Sequence, residues 1–171
     1  NTIVLLDNQL NEIQKIELFN TNTDFLISKI GIASQNQFWL FNTLNQQVIL
    51  FDYLKNTTRV IGNPIEEGVK YIQTDFNNFY WVDKKNNLFG MDFFGKVTHI
   101  TLLPAFDNIQ IMDTEHLLYS NNNLLYCLNM TTKVTSQIEI VEKSFQKFYC
   151  KDQKLAIFTN QLITNYKIKL P

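Results

Sequence analysis

Asp or Asn recurs at one place in the pattern of this chain, because Asp7, Asp52, Asp92, Asn129 and Asn165 each follow a short apolar run. A ring of such groups could ligate calcium or a substrate, since hard cations take several oxygen donors at once. A turn role fits the residue types better. Replacing Asp by Asn keeps the hydrogen-bonding geometry and discards the charge, and no D-x-D-x-D loop is present. These residues therefore read as Asx turns, each side chain bonding the backbone of the hairpin it opens. The two histidines, His99 and His116, have no cysteine or second histidine at metal-ligand spacing. His99 falls on an alternating strand, where exposure to water is expected. No G-x-S-x-G anchors a serine nucleophile, and the five glycines are too dispersed for a phosphate loop.

Paired carboxylates occur at Glu66–Glu67 and at Glu139 and Glu142. Glycoside hydrolysis needs two carboxylates held a set distance apart across a sugar, whereas adjacent glutamates in a loop after Pro64 read as solvated surface. Asn56-Thr57-Thr58 and Asn129-Met130-Thr131 match the N-glycosylation pattern, which matters only in a secreted eukaryotic protein. Cys127 and Cys150 each lie inside an apolar run and read as buried free thiols. No catalytic residue, metal or cofactor is assigned. Tyr53, Phe93, Phe94 and Phe106 stand after Asp or Pro in turn-like segments. Exposed aromatics there would mark a partner surface, and the alternative is that they fold back over strand edges.

The elements that carry these residues repeat. Phe38-Trp-Leu-Phe-Asn42, Phe79-Tyr-Trp-Val-Asp83, Leu117-Leu-Tyr-Ser-Asn121 and Leu155-Ala-Ile-Phe-Thr159 share four mostly apolar residues closed by a small polar one, at spacings of 41, 38 and 38 positions. Amide-rich turns follow (TLNQQ, KKNN, NNN, NQ), and Asn tolerates the left-handed backbone that hairpin turns require. Second apolar runs begin at Val48, Leu88, Leu125 and Leu162, and β-branched third runs include Arg59-Val-Ile, Lys96-Val-Thr-His-Ile and Lys133-Val-Thr-Ser-Gln-Ile. A further run precedes each unit. Four short antiparallel strands in 38 to 41 residues is the arithmetic of a β-propeller blade. Runs apolar on consecutive residues suit sheets covered on both faces.

The expected architecture is all-β: a β-propeller of four-stranded antiparallel blades, forming residues 1–171 as a single propeller domain or part of one. It holds a half blade at 1–19, blades at about 28–62, 69–103 and 108–140, and an incomplete last blade at 145–171. Val4-Leu-Leu-Asp7 aligns with a third strand and Glu12-Ile-Gln-Lys-Ile with a fourth. That alignment suggests the C-terminal part of a larger propeller of six or seven blades. The alternative is a four-bladed ring closed by residues 12–18.

Asp92-Phe-Phe-Gly-Lys-Val97, with weaker copies at Asp52-Tyr-Leu-Lys-Asn-Thr57 and Asp7-Asn-Gln-Leu-Asn-Glu12, resembles bacterial propeller repeats of the NHL and YncE-like kind. There an Asp-x-x-Gly-Lys-Val hairpin joins the two outer strands. The resemblance implies a recognition or scaffold module, often outside the cytoplasm, and carries over no catalytic residue.

Composition narrows the partners. Of 171 residues 45% are hydrophobic and 18% charged, with net charge −1 and pI about 6.1, which lacks the basic face of a nucleic-acid binder. No run approaches the roughly 18 to 20 apolar residues of a membrane span. The expected function is a non-enzymatic protein-interaction or scaffold module in a bacterial cell-envelope assembly, with a protein partner and no nucleic acid. The resemblance favours a periplasmic or envelope location, although cysteine usage and charge fit a cytoplasmic one equally. The alternative function is an enzyme or carbohydrate-binding propeller whose central-channel site is completed by blades outside this chain.

Overall fold

The computed structural model describes residues 2–18, 26–34 and 36–169. The limits expected at residues 1, 19 and 171 lie outside them. Among the described residues all seventeen regular elements are strands. They divide between two compact units, residues 1–99 and 100–171.

In the first unit β1 (Thr2–Leu6) and β2 (Glu12–Glu17) form an antiparallel hairpin. A four-stranded sheet follows, in the order β3 (Ile27–Ile32), β4 (Gln37–Asn42), β5 (Gln47–Asp52) and β6 (Thr57–Ile61). The next sheet runs β7 (Val69–Thr74), β8 (Asn78–Asp83), β9 (Asn87–Asp92) and β10 (Val97–Leu102), the unit boundary falling within β10. The second unit holds β11 (Asn108–Ile111), β12 (His116–Asn121), β13 (Leu124–Asn129) and β14 (Thr135–Ile138). Its last sheet is three-stranded: β15 (Lys147–Lys151), β16 (Lys154–Phe158) and β17 (Ile163–Lys167). Sequential four-stranded antiparallel meanders of this length are the blade unit of a β-propeller, and the all-β expectation holds.

Burial explains which runs take which place. The middle strands β4 and β5 are buried at five consecutive positions, so both faces are covered. The last strand, β6, exposes Thr57 to Val60 and buries only Ile61, which its mixed polar sequence tolerates.

The recurring Asp and Asn residues are the turn locks read from the sequence. Asp7 Oδ1 accepts the N–H groups of Gln9 (2.8 Å) and Asn11 (2.9 Å). Asp52 Oδ1 accepts Leu54 and Lys55, Asp92 Oδ1 accepts Phe94 and Lys96, and Asn129 Oδ1 accepts Thr131 and Thr132. Asp83 Oδ1 takes the N–H groups of Lys85 and Asn87, both at 2.8 Å, while the Asn87 amide reaches Oδ2. The left-handed positions of these turns fall to Leu10, Asn56, Asn86, Gly95 and Lys133, and in the β4–β5 and β12–β13 turns to the amides Gln46, Asn122 and Asn123. Asn165 is a correction. It lies mid-strand in β17 opposite Ala156, and the strand-end place that Asp52 holds opposite Gln37 is taken there by Lys167 opposite Lys154. The sequence alignment slipped by two residues because Leu162, placed in the apolar run, belongs to the preceding turn.

The two units have different cores. In the first, Trp39, Phe41, Phe79 and Trp81 pack with Val48, Leu50, Ile61 and Met91, the Phe79 ring lying 5.9–6.3 Å from those of Trp39, Phe41 and Trp81. In the second, Leu118, Leu125, Phe148, Leu155 and Ile157 enclose Cys127 and Cys150, which are free thiols. First strands of successive sheets come together within each unit. On β3, a Cβ at Gly31 would lie 1.7 Å from Thr74 Oγ1 of β7, so only glycine fits there. On β11, the Gln110 side chain donates to the Cys150 carbonyl of β15 (2.7 Å) and accepts from its N–H (2.8 Å).

Candidate functional site

Two clefts in the first unit bring side chains of distinct chemistry together. The first, of about 440 Å³, is lined by Leu5, Ile32, Phe38, Tyr53 and Phe76 together with Ala33, Ser34, Asn36 and Gln37. Its floor continues the buried cluster of Ile16, Leu18, Phe38, Leu40, Ile49 and Phe51, against which Leu5 and Tyr53 pack. The Tyr53 ring is fixed three ways. Its N–H donates to the Asn36 carbonyl (3.2 Å), its hydroxyl donates to Asn36 Oδ1 (3.0 Å), and its ring tilts against Phe38 at 5.3 Å. Asn36 can meet both groups because it sits at φ 61°. At the mouth, Ile32 and Phe76 are each 63% exposed. Phe76 rides on the turn that Asp75 locks by accepting the N–H groups of Asn77 and Asn78, each at 2.7 Å. That turn is tied to its neighbour, where the Ser34 N–H donates to the Phe76 carbonyl (2.9 Å) and the Trp39 indole N–H to the Asp75 carbonyl (3.0 Å). The apolar mouth is therefore held in place.

The second cleft, of about 470 Å³, lies between the loop of residues 62–68 and the β8–β9–β10 face. Trp81, Phe89, Met91 and Val97 form its apolar side, and Glu66, Glu67 and Asp83 its acidic side. Trp81 and Phe89 stack at 5.2 Å with 17° between planes, and His99 meets Phe89 edge-on. Burial alone would raise the Asp83 carboxyl, but the amide and N–H of Asn87 and the N–H of Lys85 outweigh it and hold the group below its ordinary value. Glu67 meets the Lys85 ammonium at 3.0 Å.

The aromatics singled out from sequence are not one surface. Tyr53 belongs to the first cleft. Phe93 stacks on Trp39 at 4.9 Å and 14°, folded over the edge of the core. Phe94 is 92% exposed. Phe106 is half-buried in the second unit. Sequence reasoning missed Phe76, although Asp75-Phe76 repeats the Asp-aromatic pair of Asp52-Tyr53 and Asp92-Phe93. His99 is exposed on β10, and His116 Nδ1 lies 3.1 Å from both Asp113 oxygens, capping the turn into β12. Burial would raise the Asp113 carboxyl, but the N–H groups of Glu115 and His116 and the His116 ring together hold it low. Among the described residues no three or more His, Cys, Asp or Glu side chains are grouped to hold a metal, and no helix is long and apolar enough to cross a membrane.

No protein-family model and no curated protein matches the sequence. Solved β-propellers do match the fold. All of this chain aligns with 64% of virginiamycin B lyase from Staphylococcus aureus (TM-score 0.55, 14% identity). With BamB from Moraxella catarrhalis the alignment covers 92% of this chain and 53% of that one (TM-score 0.51, 10% identity). The third neighbour is the extracellular domain of a protein from B. thetaiotaomicron described as a hybrid two component system. It aligns over 95% of this chain and 28% of its own (TM-score 0.58, 14% identity). The chain spans less than two thirds of each. At such identities the likeness concerns fold alone, and it identifies a β-propeller module.

Proposed function

We propose that this chain is a non-enzymatic propeller module that docks a protein partner in a bacterial cell-envelope assembly. The observation that carries the reading is the first cleft: Ile32 and Phe76, each 63% exposed, stand over an apolar floor on hydrogen-bonded turns. Exposed apolar side chains gathered over a preformed depression are what protein interfaces use as anchor sites, because burying them releases water with little loss of conformational freedom. Tyr53, singled out from sequence as a partner-surface residue, lines that depression. Phe94, fully in water on the β9–β10 turn, is a secondary contact. The envelope setting and the NHL and YncE-like assignment rest on the Asp92-Phe-Phe-Gly-Lys-Val97 turn, and the bacterial propeller neighbours are compatible with them.

The test begins with affinity capture from envelope and cytosolic fractions, followed by reconstitution from purified components. The expected result is a stoichiometric complex with a protein of the envelope fraction, lost in Phe76→Asp with the strand signal in circular dichroism unchanged. Equal binding by Phe76→Asp, or turnover of a small molecule by the purified chain, would overturn the reading.

A further inference from the structure

The second cleft differs in chemistry from the first, and its construction points to a specific guest. Its loop is pinned. The Ile65 side chain is 7% exposed, and its N–H donates to the Gln46 carbonyl at 2.9 Å, so Glu66 and Glu67 project from a fixed support. Two left-handed glycines set the width. Gly62 (φ 63°) and Gly95 (φ 83°) meet backbone to backbone, and a Cβ on Gly95 would stand 2.8 Å from the Gly62 nitrogen. The same Gly62 lies against Met91, whose Cε would be 3.0 Å from an added Cβ. The result is a slot with a thioether and aromatic wall and a carboxylate rim.

Charge decides what fits. Glu66, Glu67 and Asp83 contribute three negative charges to the lining, Lys85 on Glu67 offsets one and the Lys84 ammonium beside Gly68 another, which leaves the rim acidic by one. Asp83 has its oxygens occupied by Asn87 and Lys85 N–H groups, and Glu67 is already paired. Glu66 is the carboxylate exposed at the rim for a new contact. A guest that matches both walls has an apolar stem and a cationic head, which describes arginine and lysine side chains. Arginine suits the site better, because its stem can lie along the apolar wall while its forked N–H groups reach a carboxylate at the rim.

We infer that the cleft between residues 62–68 and the Trp81–Phe89 stack receives an arginine side chain on an extended segment of the protein partner. This rests on the docking function proposed above and adds charge specificity to it. The partner thereby offers apolar residues to the Ile32–Phe76 mouth and an arginine to the acidic slot.

The pinned geometry makes a short probe sufficient. The pentapeptide acetyl-Gly-Ser-Arg-Ser-Gly-amide is titrated into the 15N-labelled chain, beside the same peptide carrying neutral citrulline in place of arginine. Expected are saturable shifts at the Gly62 and Gly95 amides and the Trp81 indole with the arginine peptide only, weakened by added salt. Binding should fall about three- to tenfold in Glu66→Gln/Glu67→Gln, because the Glu66 contact is lost and Lys85 is left unpaired beside the slot. Both glutamates are exposed, so the double variant retains the fold. Equal shifts with citrulline, shifts elsewhere, or no saturation would overturn the inference. Because the probe needs no partner, a positive titration alongside a failed reconstitution would sink the docking reading and leave the arginine slot standing; the reverse would sink the slot alone.

Discussion

The two compact units stack sheets of the same kind around different cores. Residues 1–99 interlock large rings, Trp39, Phe41, Phe79 and Trp81, whereas residues 100–171 gather leucine, isoleucine and two thiols around Phe148, with Phe145 and Tyr166 packed at the margin. The turns of the last sheet differ too, although Asn129 and Asp113 lock turns of the second unit with two N–H groups each. Asp7, Asp52, Asp83 and Asp92 lock hairpins of the first unit with two backbone N–H groups each. In the last sheet Thr159 Oγ1 takes the N–H groups of Gln161 and Leu162 at 3.3 and 3.1 Å, and Asp152 and Gln153 turn through left-handed φ values of 49° and 62°. The strand order survives both changes. What the repeat demands is a turn that closes and a middle strand apolar on both faces; the identity of the apolar residue is free. Both clefts described above belong to the aromatic unit, where stiff side chains and doubly bonded turns hold the mouths open.

The largest break in that comparison should come from the core. Phe79→Ala removes the ring that touches Trp39, Phe41 and Trp81, and should cost about 3–5 kcal/mol in urea unfolding, against about 0.5–1.5 for Ile157→Val in the second unit. Equal losses would show that the aromatic network has no special weight.

Gly95→Ala comes next. A side chain at φ 83° pays the left-handed cost and also meets the Gly62 backbone, so about 2 kcal/mol or more should be lost. The same substitution should narrow the acidic slot. Smaller again is Asp83→Ala, which strips acceptors from Lys85 and Asn87 and should cost about 1–3 kcal/mol, while Thr159→Ala should cost less than about 1.

The aspartate locks also give a pH signature. Asp83, Asp52, Asp7 and Asp113 have carboxyls held below the ordinary value, chiefly by N–H and amide groups that the ionised form attracts. A depressed folded value means the ionised form is stabilised by folding. That stability is therefore complete above the unfolded carboxylate pKa near 4 and disappears as pH falls through the lowered folded values. Asp83→Asn should lower stability at neutral pH, approach the parent chain at low pH, and so flatten the acid limb of a stability titration.

The smallest effect concerns the thiols. Burial pushes both Cys127 and Cys150 up, so iodoacetamide should label neither at neutral pH until the second unit opens. Rapid labelling of the native chain would contradict the closed core around Leu155 and Ile157.

Much of this fold is written in local patterns. The four-residue apolar runs at Phe38 and Phe79 signalled strands covered on both faces, and Asp52 and Asp92 signalled turns, because both effects act over a few neighbouring residues. The slip at Asn165 shows where local reading stops: Leu162-Ile163 is apolar, yet only pairing with Phe158 and Lys154 sets the register of β17. The clefts were less legible. Tyr53 was visible as an aromatic after Asp, but its closeness to Leu5, Ile32 and Phe76 depends on tertiary contacts that no linear spacing records. Glu66 and Glu67 looked like solvated surface, and they are exposed. Their place opposite Phe89 and Met91 comes from the pinning of Ile65 and the meeting of two distant glycines.

The docking claim is tested most directly by photo-cross-linking in cells, with benzoyl-phenylalanine placed singly at position 76 and, as a control, at position 124 in the second unit. One discrete cross-linked protein from position 76, and none from 124, is the predicted result. No adduct at 76, or the same adducts at both positions, would contradict a partner seated on the Ile32–Tyr53–Phe76 mouth.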